Sequence, residues 1–128
     1  MGAILNTTAF VSDKVQTNGD ISVIKVKGYL DATTSEELDS KIDEMLKAKH
    51  FNIIVDLHEV EYVSSMGWGV FLSKIRDVRM NDGDLKLARM QPDVYEVYRV
   101  LEFELFLKSY DTLAEAIAGF SRNGHAIS

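Results

Sequence analysis

Phe51-Asn52-Ile53-Ile54-Val55 is a nearly continuous apolar run, bounded by polar residues. A run of that length and kind marks a central strand covered on both faces, so the chain must supply a layer on each side of a sheet. Leu38, Ile42, Met45 and Leu46 recur at i, i+4, i+7 and i+8, the spacing of one helix face. Phe71, Ile75 and Val78 repeat that period, as do Val94, Val97, Tyr98 and Leu101, read as a core stripe. A last helix carries Leu113, Ala116, Ile117 and Phe120 inward, with Asp111 or Thr112 able to cap it. Further strands are expected at Ile21 to Val26, stopping at Gly28, at Leu85 to Ala88 and at Phe103 to Leu107, with a first strand between Leu5 and Val15. The order β-β-α-β-α-β-α-β-α predicts an α/β fold: a mixed sheet of about five strands with about four helices packed on it.

Local signals fix the joints. Asp31-Ala32-Thr33-Thr34 reads as a turn, and Thr34 with Glu37 matches a capping box. Asn81-Asp82-Gly83-Asp84 is a second turn, and Pro92 suits the first turn of a helix, where its missing N–H costs little. With no repeat and no Gly/Ser linker, residues 1–120 read as one domain and 121–128 as a polar tail.

Composition narrows the function. A formal net charge of -6 argues against nucleic-acid binding and against docking on an anionic membrane. Cysteine is absent, which excludes thiol chemistry. The N-terminal residues lack the cationic and apolar regions of a signal peptide, so a cytoplasmic protein is expected. His50, His58 and His125 are scattered without ligand spacing, and no metal or other cofactor is expected.

The informative stretch runs from Val55 to Val70. A buried strand leaves through Asp56-Leu57, enters what reads as a short loop, and reaches Ser64-Ser65-Met66-Gly67-Trp68-Gly69 before a helix. Asp56 is expected to accept backbone hydrogen bonds at the strand end. Serine there can cap the helix, and the two glycines cost helix propensity, about 1 kcal/mol each, so close approach by something is expected. A helix N-terminus also accommodates a phosphate through free N–H groups and the macrodipole. From local physics alone a plain cap is the favoured reading of Ser65.

This stretch resembles the signature of STAS domains, particularly bacterial anti-sigma-factor antagonists: an aliphatic strand ending in Asp-Leu, a short loop, then Asp-Ser-(Ser/Thr/Ala)-Gly-(Leu)-Gly. Gly28-Tyr29-Leu30-Asp31 resembles the family's other element, Gly-x-(Leu/Ile/Val)-Asp before the first helix, and Asp84-Leu85-Lys86-Leu87 and Pro92-Asp93-Val94 match later segments less specifically. The likeness spans about residues 8–120. It implies a non-enzymatic switch: an anti-sigma-factor serine kinase binds the unmodified protein, which frees a sigma factor, then phosphorylates it, and a metal-dependent serine phosphatase resets it. Carried over by position, Ser65 is the phosphoacceptor, with Ser64 the second candidate, and Asp31 lies on a neighbouring loop of the binding face.

Asp31, Ser64, Ser65, Met66, Gly67 and Trp68 are therefore the expected partner-binding residues. Met66 and Trp68 also admit a core reading, and Asp31 a turn reading. Ser64 stands where the family usually has Asp, which leaves open a non-phosphorylated STAS scaffold or sensor in a larger signalling complex. Some family members bind nucleotides, but no phosphate-cradling Gly-x-x-x-x-Gly-Lys loop occurs here. A serine hydrolase reading fails because Val63-Ser64-Ser65-Met66-Gly67 is not Gly-x-Ser-x-Gly.

Overall fold

The computed structural model describes residues 10–11, 16–18 and 20–126, with side chains for 20–120. Its elements are β1 (Phe10–Val11), β2 (Gln16–Asn18), β3 (Ile21–Leu30), α1 (Ala32–Lys47), β4 (Asn52–Val63), α2 (Ser65–Arg79), β5 (Asp84–Ala88), α3 (Pro92–Val100), a 3-10 turn (Phe103–Leu105), β6 (Ser109–Tyr110) and α4 (Leu113–Ala126). The sheet is mixed, as expected, and among the described residues it has six strands, close to the expected five. β3, β4, β5 and β6 are parallel neighbours in that order, and β1 and β2 pair antiparallel with β3.

Both faces of the central run are covered. On one face Ile53, Val55 and Leu57 meet Leu38 and Ile42 of α1, Phe71 and Val78 of α2, and Val94 and Tyr98 of α3. On the other, Ile54 joins Ile21, Val23 and Ala88 beneath Ala116 and Phe120 of α4. The alternation of β4 therefore feeds two cores, which is why its sequence carries almost no polar residue there.

Several expectations change. The segment from Asp56 to Val63, read as a loop, is strand, because two bulges fit extra residues into the ladder. Lys25 to Lys27 lies opposite Asp56 to Glu59, and Gly28 to Tyr29 opposite Val60 to Tyr62. Buried positions consequently fall at Leu57, Val60 and Val63, a spacing of three that period-two reading cannot detect. β3 does not stop at Gly28: that residue sits at φ 88, a left-handed value glycine tolerates, and the strand continues to Leu30.

Phe103 to Leu107 is no strand. It forms the 3-10 turn that buries Phe103 and Leu107, and the last strand is Ser109–Tyr110. Within the α3 stripe only Val94 and Tyr98 are core; Val97 and Leu101 are exposed. Thr112, not Asp111, caps α4 by accepting from the Glu115 N–H at 3.1 Å, and that helix continues past residue 120 into the segment expected to be tail.

Candidate functional site

Leu30 of β3 and Val63 of β4 are register partners, so the two parallel strands end side by side. The Ser64 N–H donates to the Leu30 carbonyl at 2.9 Å, which ties the two exits together. Each strand is followed directly by a helix, and the caps of α1 and α2 thus lie at adjacent carboxyl ends of the sheet. In parallel α/β sheets that edge is where binding groups gather.

The α1 cap is Asp31. Its Oδ1 accepts from the Thr33 and Thr34 N–H groups, both at 3.1 Å, and from the Thr34 hydroxyl at 3.2 Å. The helix accordingly starts at Ala32, and the expected Thr34–Glu37 capping box does not form, because a stronger acceptor stands upstream. The backbone hydrogen bond from Thr34, helped by those from the Thr34 hydroxyl and Thr33, outweighs partial desolvation and holds the Asp31 carboxyl below its ordinary value.

The α2 cap is Ser64, not Ser65. Ser64 has extended backbone, and its Oγ accepts from the Gly67 N–H at 3.4 Å. Ser65 is therefore the first helical residue, and it is exposed. Met66 is half-exposed and, with Val70, Ser35, Glu36, Asp39 and Ser40, lines a groove between α1 and α2. The two helices are locked together by Lys74, whose Nζ contacts Asp43 at 2.5 Å and Asp39 at 3.2 Å. Burial pulls that ammonium down, but the hydrogen bonds to Asp43 and Asp39 outweigh it and leave the group raised.

The two glycines differ. A Cβ on Gly67 would lie 2.8 Å from Leu30 Cδ2 and 2.8 Å from Val63 Cγ1, so the strand ends require glycine there. A Cβ on Gly69 would meet nothing within 4 Å. The fold accounts for the first and leaves the second without an internal reason.

Trp68 belongs to the core, which corrects its expected place on a binding face. It is 4% exposed and stacks edge-on against Phe103 at 4.9 Å and Phe71 at 5.9 Å. Gly67 is likewise buried. Asp31, Ser64, Ser65 and Met66 are thus the expected residues that reach the surface at this edge.

Sequence reading missed Arg89. It forms a two-pronged pair with the buried Asp56, Nε to Oδ1 at 3.1 Å and Nη2 to Oδ2 at 2.7 Å. Asp56 does accept a backbone hydrogen bond as expected, from His58 at 3.1 Å, but the guanidinium is its main partner. Arg89 has φ 61, a left-handed conformation that no sequence signal marks. Among the described residues, no group of three His, Asp or Glu is placed to hold a metal ion, and no helix is long and apolar enough to cross a membrane.

Residues 14–116 match the model of the STAS domain, and the chain belongs to that family. It is 27% identical over 77 residues to the anti-sigma-B factor antagonist of Staphylococcus aureus, covering 60% of this chain and 71% of that one. The crystal structure of an anti-sigma factor antagonist from Mycobacterium paratuberculosis superposes with a TM-score of 0.77 at 19% identity, over 87% of this chain and 94% of that one. The Bacillus cell fate determinant SpoIIAA in its phosphorylated form gives a TM-score of 0.65 at 21% identity, over 82% and 96% of the two chains.

Proposed function

We propose that this protein is an anti-sigma factor antagonist whose binding to an anti-sigma-factor serine kinase is switched by phosphorylation of Ser65. The observation that carries the reading is the division of labour at the α2 start: Ser64 serves the helix as its cap, while the neighbouring Ser65 is exposed and without a capping role. A kinase can reach that hydroxyl without unfolding the helix. The relatives' names, and a related protein described in both unphosphorylated and phosphorylated forms, support the same reading.

The mechanism is electrostatic exclusion. Unmodified, the edge formed by Asp31, Ser64, Ser65 and half-exposed Met66, with the groove beside it, meets the kinase through shape and apolar contact. Phosphorylation adds roughly -1.5 to -2 charge and three acceptor oxygens at Ser65. Burying that dianion against a surface built for a hydroxyl, without a paired cation, is unfavourable, and the complex dissociates. A metal-dependent phosphatase then restores the hydroxyl, and the released sigma factor is captured again only while the phosphate persists.

The test is phosphorylation by the host's anti-sigma kinases with ATP, mapped by mass spectrometry, followed by partner affinity. Phosphate on Ser65 that disappears in Ser65→Ala is expected. Ser65→Asp and Ser65→Glu should weaken kinase binding strongly, and Ser65→Ala should leave it largely intact. Equal affinity for all three would refute the mechanism.

A further inference from the structure

Helix α3 buries Val94 and Tyr98 and exposes its other residues. Three apolar side chains toward its end, Val97, Val100 and Leu101, are exposed neighbours at i+3 and i+4. The 3-10 turn that follows adds exposed Leu105 and Phe106. Val100 is 69% exposed and Leu105 73%. A single exposed apolar residue is ordinary, but five between Val97 and Phe106 form a patch.

The turn holds its pair of apolar residues outward. Glu102 closes α3 at φ 59, a left-handed value unfavourable for a residue with a side chain. The Leu105 and Phe106 N–H groups then donate to the Glu102 and Phe103 carbonyls at 3.2 and 3.0 Å. Arg79 fastens the turn to the rest of the fold: its Nη2 donates to the Phe106 carbonyl at 2.7 Å and its Nε to Asp84 at 3.0 Å. The Phe106 ring lies 5.9 Å from that of buried Phe103. A surface fixed in this way loses little freedom when something covers it.

Area and charge select the occupant. The five side chains leave roughly 400 to 500 Å² of apolar surface in water, toward the upper end for one patch on a monomer. A standard interface removes about 800 Å² from each partner, and about two-thirds of that is apolar between identical chains. One copy of the face therefore supplies most of the apolar area that its half of a homodimer needs. The chain carries -6, yet the charges around the face have both signs: Arg99 and Lys108 stand among Glu96, Glu102 and Glu104, all exposed. A face shaped for a strongly basic or strongly acidic partner would carry one sign. A two-fold pairing sets each mixed rim against its own copy, where cation can meet carboxylate.

We propose that this face joins two copies of the chain into a two-fold dimer, with α3 and its turn packed against the same elements of the second copy. The turn leads into β6 and so lies at the amino ends of the parallel strands, whereas Ser65 follows β4 at their carboxyl ends. The dimer leaves both Ser65 edges open, and it does not rest on phosphorylation there.

Sedimentation velocity of the full chain, from about 1 μM to about 1 mM, tests the assignment. A reversible monomer–dimer equilibrium with a Kd of about 100 μM or tighter is expected for an interface near the low end of the standard size. Val100→Lys with Leu105→Lys should raise that Kd at least about tenfold, because the dimer would then bury four ammonium groups. Both positions are more than two-thirds exposed, and an unchanged circular dichroism spectrum verifies that the double variant is folded. Ser65→Glu should leave the Kd as it is. A chain still monomeric at about 1 mM would assign the face to another protein or to the chain's own ends and overturn the dimer. A dimer that survives the double lysine variant, or one that Ser65→Glu weakens, would place the contact elsewhere and overturn it equally.

Discussion

Alanine at Gly67 and at Gly69 should move stability in opposite directions. The two positions lie two residues apart in the first turns of α2, so helix propensity treats them nearly alike and favours alanine by up to about 1 kcal/mol. Packing separates them. At Gly67 the new methyl would stand 2.8 Å from Leu30 Cδ2, 2.8 Å from Val63 Cγ1 and 3.1 Å from Leu30 Cγ. Comfortable carbon contacts are about 3.5 to 4.0 Å, so both side chains must retreat by close to 1 Å. Leu30 is fully buried and Val63 nearly so, which leaves them little room. Overpacking of this order costs about 1 to 3 kcal/mol and should outweigh the propensity gain, for a net loss near 1 kcal/mol. At Gly69 nothing lies within 4 Å, and the propensity gain stands unopposed. The variants should therefore differ by about 2 kcal/mol, which at a urea slope of about 1 to 2 kcal/mol/M separates their midpoints by roughly 1 to 2 M. Urea unfolding followed by Trp68 fluorescence measures this. A Gly67→Ala protein as stable as Gly69→Ala would refute the packing argument. On the proposed function, Gly69→Ala should also weaken kinase binding despite its greater stability, because the open space at that position is then the partner's.

Asp31→Ala removes the α1 cap and should cost about 1 kcal/mol at neutral pH. The folded carboxyl is held below its ordinary value of 3.8, so the cap's ionic contribution is present above that value and lost as pH falls through the lowered one. The stability gap between wild type and variant should therefore narrow in acid, and a gap constant from neutral to strongly acidic pH would contradict this. Arg89→Met leaves the Asp56 carboxylate buried with, among the described residues, the His58 N–H as its remaining hydrogen-bond donor, and thermal unfolding should show a loss of about 2 to 4 kcal/mol. Asp56→Asn should recover part of that loss in the double variant; strict additivity would argue against the pair. Gly83→Ala places a Cβ 2.0 Å from the Phe51 carbonyl oxygen, a backbone atom that cannot step aside, and should cost roughly 3 kcal/mol or more by chemical denaturation.

What the sequence disclosed follows from where its periodicity is simple. Helix faces such as Leu38 and Ile42, or Ala116 and Phe120, repeat with one period and contact one surface, and they lie where that period places them. The unbroken apolar run of β4 announced a two-sided strand for the same reason. Its continuation was illegible because two bulges shift the inward positions to a spacing of three, which mimics a polar loop with occasional apolar residues. The stripe on α3 misled in another way: Val97 and Leu101 keep helical spacing yet stay exposed, and hydrophobicity alone does not say which side of a helix is covered. At the candidate site the motif marks the segment Ser64 to Gly69, but the one-residue distinction between cap and first helical residue at Ser64 and Ser65 depends on backbone geometry. Trp68, two residues beyond exposed Met66, turns into the core because residues two apart on a helix face different directions. Arg89 could not have been read at all, since its role rests on a left-handed φ and on a partner 33 positions away.

The Ser64 departure from the family pattern can be separated from the switch proposed at Ser65. As a cap Ser64 is weak, its Oγ reaching the Gly67 N–H only at 3.4 Å. Aspartate caps about as well as serine and adds a favourable interaction with the helix dipole, so Ser64→Asp should stabilise the unmodified protein by about 0.5 kcal/mol. Phosphorylation reverses that advantage. In the wild type, a phosphate on Ser65 meets the positive end of α2 with a neutral neighbour on its N-terminal side, and stability should hold or rise. In Ser64→Asp the same phosphate adjoins a carboxylate that competes for the same N–H groups, and part of the gain is lost to repulsion. Thermal midpoints of the four species, each phosphorylated to completion or kept unmodified, resolve the two effects. A phosphorylated wild type clearly less stable than its unmodified form would mean that the phosphate disrupts the helix start, and the switch would then act by unfolding an edge rather than by charging an intact one.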